Sequence, residues 1–386
     1  MAVLDQTPAL LIKGYAWLPD LRRHAPGRPV ITRVMGQRAV AVEGPEAAAF
    51  FYASGHLERH SALPPVVVNT LTGRGAVHTL DGDAHRARKA MFVSLLMGDG
   101  VDALAKQAAE AFDQAAAGWR GGPEVSLFDE SAKAIAKTVT RWAGVPLTDW
   151  EVPALAADLV AMVDGFASAG PRHWRALRAR GRRERWLAGL HEHEPLIVGA
   201  DLDPHTAAVE MLNIIRPSTA VAWLVAFAGH ALDRWPREAA RLRDGDERYT
   251  RAFVHEVRRF YPFTPFLGGR AVRDLIFQDT EIPVGTLVLL DVFGQSHDPA
   301  LWEDPYAFRP DRFLDREIGA FDLIPQGGGD PRTGHRCPGE LITIALLGTF
   351  AQRLARLNYY VPPQNLTIDL SRIPAKPADG VRIVVP

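Results

Sequence analysis

The chain has 386 residues and a single cysteine, which excludes an internal disulfide. A cross-link needs two thiols, so nothing ties this protein to an oxidising compartment. An excess of one charge is lacking too: 44 lysines and arginines face 45 acids, for a net charge of −1. That balance sets up no field to gather nucleic acid or an anionic membrane. The N-terminal run Met1-Ala-Val-Leu-Asp-Gln-Thr-Pro8 lacks the basic start and apolar core of a signal peptide. Long hydrophobic runs are missing as well. The longest, from Ala220 to Gly229, falls short of the about 20 residues that a bilayer takes. No internal repeat, low-complexity tract or hinge-like linker divides the chain. A cytoplasmic globular protein is expected, with no membrane anchor and no nucleic-acid partner.

What is present reads mostly as helix. Residues 101–118 are alanine-rich with apolar residues at helical intervals, and 128–143 repeat the pattern. Residues 207–232 are long and increasingly apolar, as expected of a helix crossing the interior. Strand-like pieces are few: 30–34, 39–42, 286–290 and 381–385. Between 299 and 334 proline, glycine and aspartate dominate, which predicts an ordered meander. Arginine is dense from Arg172 to Arg185, where Trp174, Leu177 and Glu184 are interleaved, and a solvated helix face is expected there. The predicted architecture is one mainly α domain over residues 1–386 with a small β-rich lobe.

The lone cysteine stands in Gln326-Gly-Gly-Gly-Asp-Pro-Arg-Thr-Gly-His-Arg-Cys-Pro-Gly-Glu340. Glycine lets a backbone pass close to a large flat group, because it has no side chain to obstruct it. The residues after Cys337 are apolar at helical spacing, with Pro338 and Glu340 suited to a first turn. Cys337 is thus predicted at a helix N-terminus beside His335 and Arg336, three features that favour thiolate over thiol. A thiolate on a loop shaped for a planar macrocycle reads as an axial haem ligand. The commoner fate of a lone cysteine is an inert buried side chain.

The second anomaly is Arg216-Pro217, set among Val209, Leu212, Ile215, Val221, Trp223 and Phe227. Proline removes the bond its N–H would make to the Asn213 carbonyl, and so bends or loosens the helix. A guanidinium in an apolar helix costs several kcal/mol unless it is paired. Its planar fork suits a carboxylate, either a protein acid in a salt bridge or the acid group of a substrate. A third is His78, amid apolar neighbours, where a histidine is more often a core residue than a catalyst.

Together these segments resemble the cytochrome P450 superfamily, and within it the bacterial fatty-acid peroxygenases and decarboxylases. The resemblance runs through Gly75-Ala-Val-His-Thr-Leu-Asp-Gly82 with His85 and Arg88-Lys89, Gly170-Pro-Arg-His-Trp174, and Asn213-Ile-Ile-Arg-Pro217. It continues through Glu256-Val-Arg-Arg259, Tyr261-Pro-Phe-Thr-Pro-Phe-Leu-Gly268, Pro310-Asp-Arg-Phe313 and the cysteine loop. It implies haem b with Cys337 as the iron ligand, and hydrogen peroxide as co-substrate. The implied substrate is a fatty acid or another carboxylic acid, hydroxylated at the α or β carbon or decarboxylated to a terminal alkene. Ordinary members carry an acid followed by a threonine where this chain has Arg216 and Pro217, and Thr219 is out of register. By the family's logic Arg216 holds the substrate carboxylate, which takes over proton delivery, and no redox partner is obligatory. A partner-dependent monooxygenase and a non-catalytic haem-thiolate sensor are the alternatives.

The resemblance also places His78 over the haem near the substrate's Cα and Cβ. It puts Thr72, Ala169 and Phe266 along the acyl channel, where members usually carry bulkier side chains than Thr72 and Ala169. Arg270 matches the usual haem-propionate arginine, with Arg59, His85, Lys89 and His335 as further propionate candidates. Glu256, Arg259 and Arg312 match a buried ion-pair network behind the haem.

Overall fold

A computed structural model describes residues 4–62, 64–194, 196–198 and 201–386. Helix boundaries follow local chemistry. The Leu127–Trp142 helix starts where Ser126 accepts the Asp129 N–H at 3.3 Å, with Asp129 and Glu130 in its positive first turn. The Pro204–Thr219 helix opens with proline at its first position, and Asp203 accepts the Thr206 N–H at 3.0 Å.

That helix and its continuation, Val221–Arg234, form the axis of the core. They pack against Leu127–Trp142, Pro171–His193 and Glu340–Arg356. Pro204–Arg234 is the one helix among the described residues long and apolar enough to cross a membrane, and 94% of its most apolar stretch is buried inside the molecule. Its apolar residues meet protein, not lipid.

The axis does not break at Pro217. It runs through the proline and is offset only at Ala220. The Ser218 and Thr219 hydroxyls donate to the Ile214 and Ile215 carbonyls at 2.8 and 2.9 Å, a back-bonding that loosens a helix without ending it.

The β-rich lobe comprises β1 (Val30–Val34), β2 (Gln37–Val42), β3 (Leu57–Glu58), β4 (Val125–Ser126), β5 (Phe266–Ala271), β6 (Leu275–Phe277), β7 (Thr280–Ile282), β8 (Leu287–Asp291) and β9 (Arg382–Ile383). Five strands form one sheet in the order β1-β2-β8-β5-β3, and β4-β9 and β6-β7 are separate pairs. The strand β5 was not legible: Gly268, Gly269 and Arg270 dilute its alternation, and pairing with the fully buried β8 makes it a strand. Residues 299–334 are the expected meander, with one short 3-10 turn at Pro310–Phe313.

The Glu247–Phe260 helix carries the predicted ion pairs. Arg259 grips Glu256 with two bonds of 2.8 Å, and Arg312 reaches the same carboxylate at 3.2 Å. Backbone carbonyls of Ser296, Pro305 and Ala307 take the remaining Arg259 donors. Two residues of this network come from the helix and one from the meander, so it pins the meander to the core.

Candidate active site

The cysteine loop is clamped at both ends. The Cys337 N–H donates to the Gln326 carbonyl at 2.9 Å, and the Gln326 side chain accepts from Arg258 Nε at 3.1 Å. Arg258 also pairs with Glu340, which accepts from Arg336 Nε at 2.7 Å. At Gly327 φ is +93°, and a Cβ would lie 2.6 Å from the Tyr52 hydroxyl, so only glycine fits that turn.

One expectation at this loop is corrected. Arg336 turns away from the sulfur to Glu340 and to the Gly329 carbonyl at 3.1 Å, and burial holds His335 neutral with its pKa near 3. Burial also pushes the Cys337 thiol up, against the pull of the Gly339 N–H, Lys89 and Arg216. The helix does start where predicted, at Glu340, with Pro338 just outside it. At the sulfur, desolvation outweighs these pulls and favours the thiol, and a bound metal ion would be what draws the proton off.

Beside the loop lies a basic cluster. His85 and Lys89, one turn apart on the Gly82–Leu96 helix, are both buried. His85 stacks on His335 with ring centroids 3.9 Å apart, and Lys89 Nζ donates to the Arg336 carbonyl at 2.6 Å. Arg59 lies over the Phe51 ring, donates to the Gly268 carbonyl at 2.7 Å, and acts electrostatically on both histidines. Arg270 is placed differently. Its donors reach Ser61, Gly285 and Gln37, all neutral acceptors, at 2.7 to 3.1 Å, and it would have to release some of them to meet a carboxylate.

Arg216, 5% exposed, acts electrostatically on the Cys337 sulfur. Its Nη2 donates to Asn213 Oδ1 at 3.2 Å and its Nε has no partner. Among the described residues no acid pairs with it, and burial beside Arg180 lowers its pKa to about 9. It therefore stays a cation at neutral pH, buried and uncompensated. His78, on the Val77–Thr79 turn, is enclosed by protein yet keeps open surface, as does Cys337. Burial and the Arg216 charge drive the His78 pKa to about 3, so the ring is neutral and offers one N–H and one lone pair.

The other channel candidates are spread out. Thr72 is half-buried, its hydroxyl donating to the Val68 carbonyl at 3.3 Å and its own carbonyl accepting from Asn213 Nδ2 at 2.9 Å. Ala169 is exposed before the Pro171–His193 helix, and Phe266 packs edge-on to Trp17 at 5.8 Å in the core of the sheet. The arginine-rich helix is not merely a solvated face. Arg180 is buried, and donates to the Leu71 and Thr72 carbonyls at 2.7 and 2.9 Å and to Glu184 at 2.7 Å.

Two polar residues behind Arg216, Glu210 and Asn213, escaped sequence reasoning. The signal was there: Glu210-x-x-Asn213-x-x-Arg216 sets three polar residues on one face of an apolar helix.

The residues present fit haem. The Cys337 sulfur sits on a glycine loop, the cations Arg59 and Lys89 lie among the groups beside that loop, and the buried Arg216, with its orphaned Nε, acts electrostatically on the sulfur. Two carboxylates of a macrocycle match such a cluster.

Comparison with known proteins agrees. The cytochrome P450 family model matches residues 246–356. Ligand-free cytochrome P450 OleT superposes with a TM-score of 0.95 at 34% identity, covering 99% of this chain and 97% of that one. Cytochrome P450SP alpha in complex with (R)-ibuprophen gives 0.94 at 36% identity, covering 99% and 98%. A variant of OleT in complex with arachidonic acid also gives 0.94, at 34% identity, covering 99% and 96%. Among curated proteins, cytochrome P450 71A8 of Mentha piperita is 33% identical over 144 residues, which is 36% of this chain and 27% of that protein. Vinorine hydroxylase of Rauvolfia serpentina is 33% identical over 134 residues, 33% of this chain and 27% of that protein. The chain thus spans about a quarter of the length of these curated relatives.

Proposed function

We propose that this chain, which belongs to the cytochrome P450 family, is a peroxygenase that uses hydrogen peroxide to oxidise free carboxylic acids, fatty acids foremost. The observation that carries the reading is Arg216, a buried guanidinium with an unmet N–H and, among the described residues, no protein acid beside it. Such a charge calls for an anion that arrives from outside. The relatives bound to arachidonic acid and to ibuprophen hold molecules with one carboxylic acid group each.

Cys337 is the proposed axial ligand of haem b, and Arg59, His85, Lys89 and His335 are the proposed partners of its carboxylates. Arg270 joins them only by exchanging its neutral acceptors. When bound, the haem supplies the redox chemistry that activates peroxide, and a thiolate ligand favours O–O cleavage. The rest falls to the chain. Arg216 binds and orients the substrate carboxylate. The Thr219 hydroxyl is engaged with the Ile215 carbonyl, so it does not replace the missing acid-threonine pair. The held carboxylate is then the group placed to move a proton, and no electron-transfer partner is required. Pro217 keeps the helix loose at this turn, and His78 borders the reacting carbons. Thr72 is tied to the same polar network through its carbonyl, whereas Ala169 and Phe266 are proposed to line the acyl channel.

The direct test is purified protein with hydrogen peroxide and myristate, and no reductase. Hydroxy acids and terminal alkene are expected, and no product under these conditions overturns the reading.

Cys337→Ser checks the ligand. The wild-type ferrous–carbonyl complex is expected to show the red-shifted Soret band of thiolate ligation, and the variant to lose it. Wild type purified haem-free despite ample haem supply would contradict the assignment.

His78 bears on the split between hydroxylation and decarboxylation. A difference of about 1.4 kcal/mol between two barriers changes a product ratio tenfold, which is within reach of one hydrogen bond. His78→Gln is expected to lower the alkene-to-β-hydroxy ratio. Because burial holds the His78 pKa near 3, the ring does not titrate near neutrality. The wild-type ratio should therefore stay flat between about pH 5 and 8, where an ordinary histidine titrates. Gas chromatography on one acid at matched peroxide reads both, and a ratio unmoved by His78→Gln reduces the residue to packing.

A further inference from the structure

Glu210 is fully buried, 0% exposed, and each of its three contacts comes from a different place. The Val77 N–H donates to Oε1 at 2.9 Å, Arg88 Nη1 donates to the same oxygen at 2.7 Å, and Asn213 Nδ2 donates to Oε2 at 3.2 Å. Val77 precedes His78 in its 3-10 turn, and Arg88 belongs to the helix that also carries His85 and Lys89. Asn213 accepts from Arg216 Nη2 at 3.2 Å, and its amide also donates to the Thr72 carbonyl. One carboxylate therefore joins the turn bearing His78 to the side chain that steadies Arg216.

We propose that Glu210 is a positioning residue of the reaction: it sets the separation of His78 from Arg216, through Val77 on one side and Asn213 on the other. The proposal rests on the reading that Arg216 holds the substrate acid. Arg216 has few restraints, with one hydrogen bond and an unpartnered Nε. A guanidinium so loosely held keeps its aim only if Asn213 keeps its own, and Asn213 is oriented by Glu210 and the Thr72 carbonyl. The two arms control different quantities. The Asn213 arm governs how tightly the acid is bound. The Val77 arm governs where the reacting carbons lie relative to His78, and so the product ratio.

A plain ion pair between Glu210 and Arg88 would have neither consequence, and paired substitutions separate the two cases. Arg88→Met with Glu210→Gln removes the ion pair but keeps an acceptor for Val77. Arg88→Met with Glu210→Leu removes the ion pair and both arms, and neither pair leaves a buried charge alone. Myristate is titrated into the haem-loaded variants by calorimetry, and products are quantified at matched peroxide. The leucine pair is expected to bind myristate roughly tenfold more weakly, the scale of one hydrogen bond to a charged group. It should also shift the alkene-to-β-hydroxy ratio, while the glutamine pair, whose amide keeps an acceptor for Val77 but turns an NH2 toward the Asn213 amide, should hold the wild-type ratio and bind myristate more weakly. Asn213→Ala tests one arm without touching Glu210, and should weaken binding by a similar factor with less change in ratio. If the leucine pair matches wild type in affinity and ratio, or, should it not fold, if Asn213→Ala binds myristate as wild type does, the proposal is overturned. Failure of the underlying reading shows separately, as undiminished myristate binding by Arg216→Ala.

Discussion

Arg216→Ala is expected to lose nearly all turnover of free fatty acids and none of its fold. Losing one partner of a desolvated charge pair costs about 3–5 kcal/mol, which is a factor of about a hundred to a few thousand in rate. The stability expectation runs the other way. In the free protein Arg216 is already a buried cation with no acid beside it, so its removal relieves a cost. The variant should melt at the wild-type temperature or above it. A methyl ester, which has no charge for Arg216 to hold, should be inert alone. A substrate without an acid group, such as an aryl ether, should be oxidised once a short carboxylic acid is added to occupy the arginine. Equal turnover of esters and free acids would mean that the substrate carboxylate takes no part.

The largest effect on stability is expected at Glu256. This carboxylate is fully buried and serves Arg259 and Arg312 together, while the Arg309 N–H donates to it at 2.7 Å. Glu256→Gln leaves two guanidiniums facing a neutral amide in the interior. The cost should be about 3–5 kcal/mol, a large part of the 5–15 kcal/mol or so that holds a typical domain together. Urea denaturation followed by far-ultraviolet circular dichroism measures it, read as a lower midpoint. A midpoint equal to wild type would place the stabilisation in the backbone carbonyls around Arg259. Because the network fastens the meander that leads into the cysteine loop, haem retention should fall with it.

Much of this site is written in local order. Glycine and proline around Cys337, and a helix resuming at Glu340, need only nearest-neighbour chemistry to be read. The same holds for the long apolar stretch that became the axial helix, and for β1, whose predicted limits of 30 and 34 are the observed ones. Residues three apart on a helix share a face, which allows Arg259 to meet Glu256, but that the pair is a buried one was an expectation only of the family resemblance.

Other features exist only because distant segments meet. The strand β5 is a strand because β8 pairs with it, and Phe266 accordingly packs on Trp17 in the sheet. Arg180 lies in a run of arginines that looks solvated, and is buried because the Leu71 and Thr72 carbonyls cross its helix. Charge states are the least local property of all. Proximity in sequence put His335 and Arg336 in favour of a thiolate, but Glu340 captures one and burial discharges the other. By itself the sequence determined the helical class, the glycine-rich cysteine loop and the misplaced cation at Arg216, because each is a matter of spacing along the chain. Only the tertiary structure decided that Arg216 has no acid beside it among the described residues, that His78 is neutral, and that Glu210 joins the two, because desolvation and pairing depend on what the fold brings near.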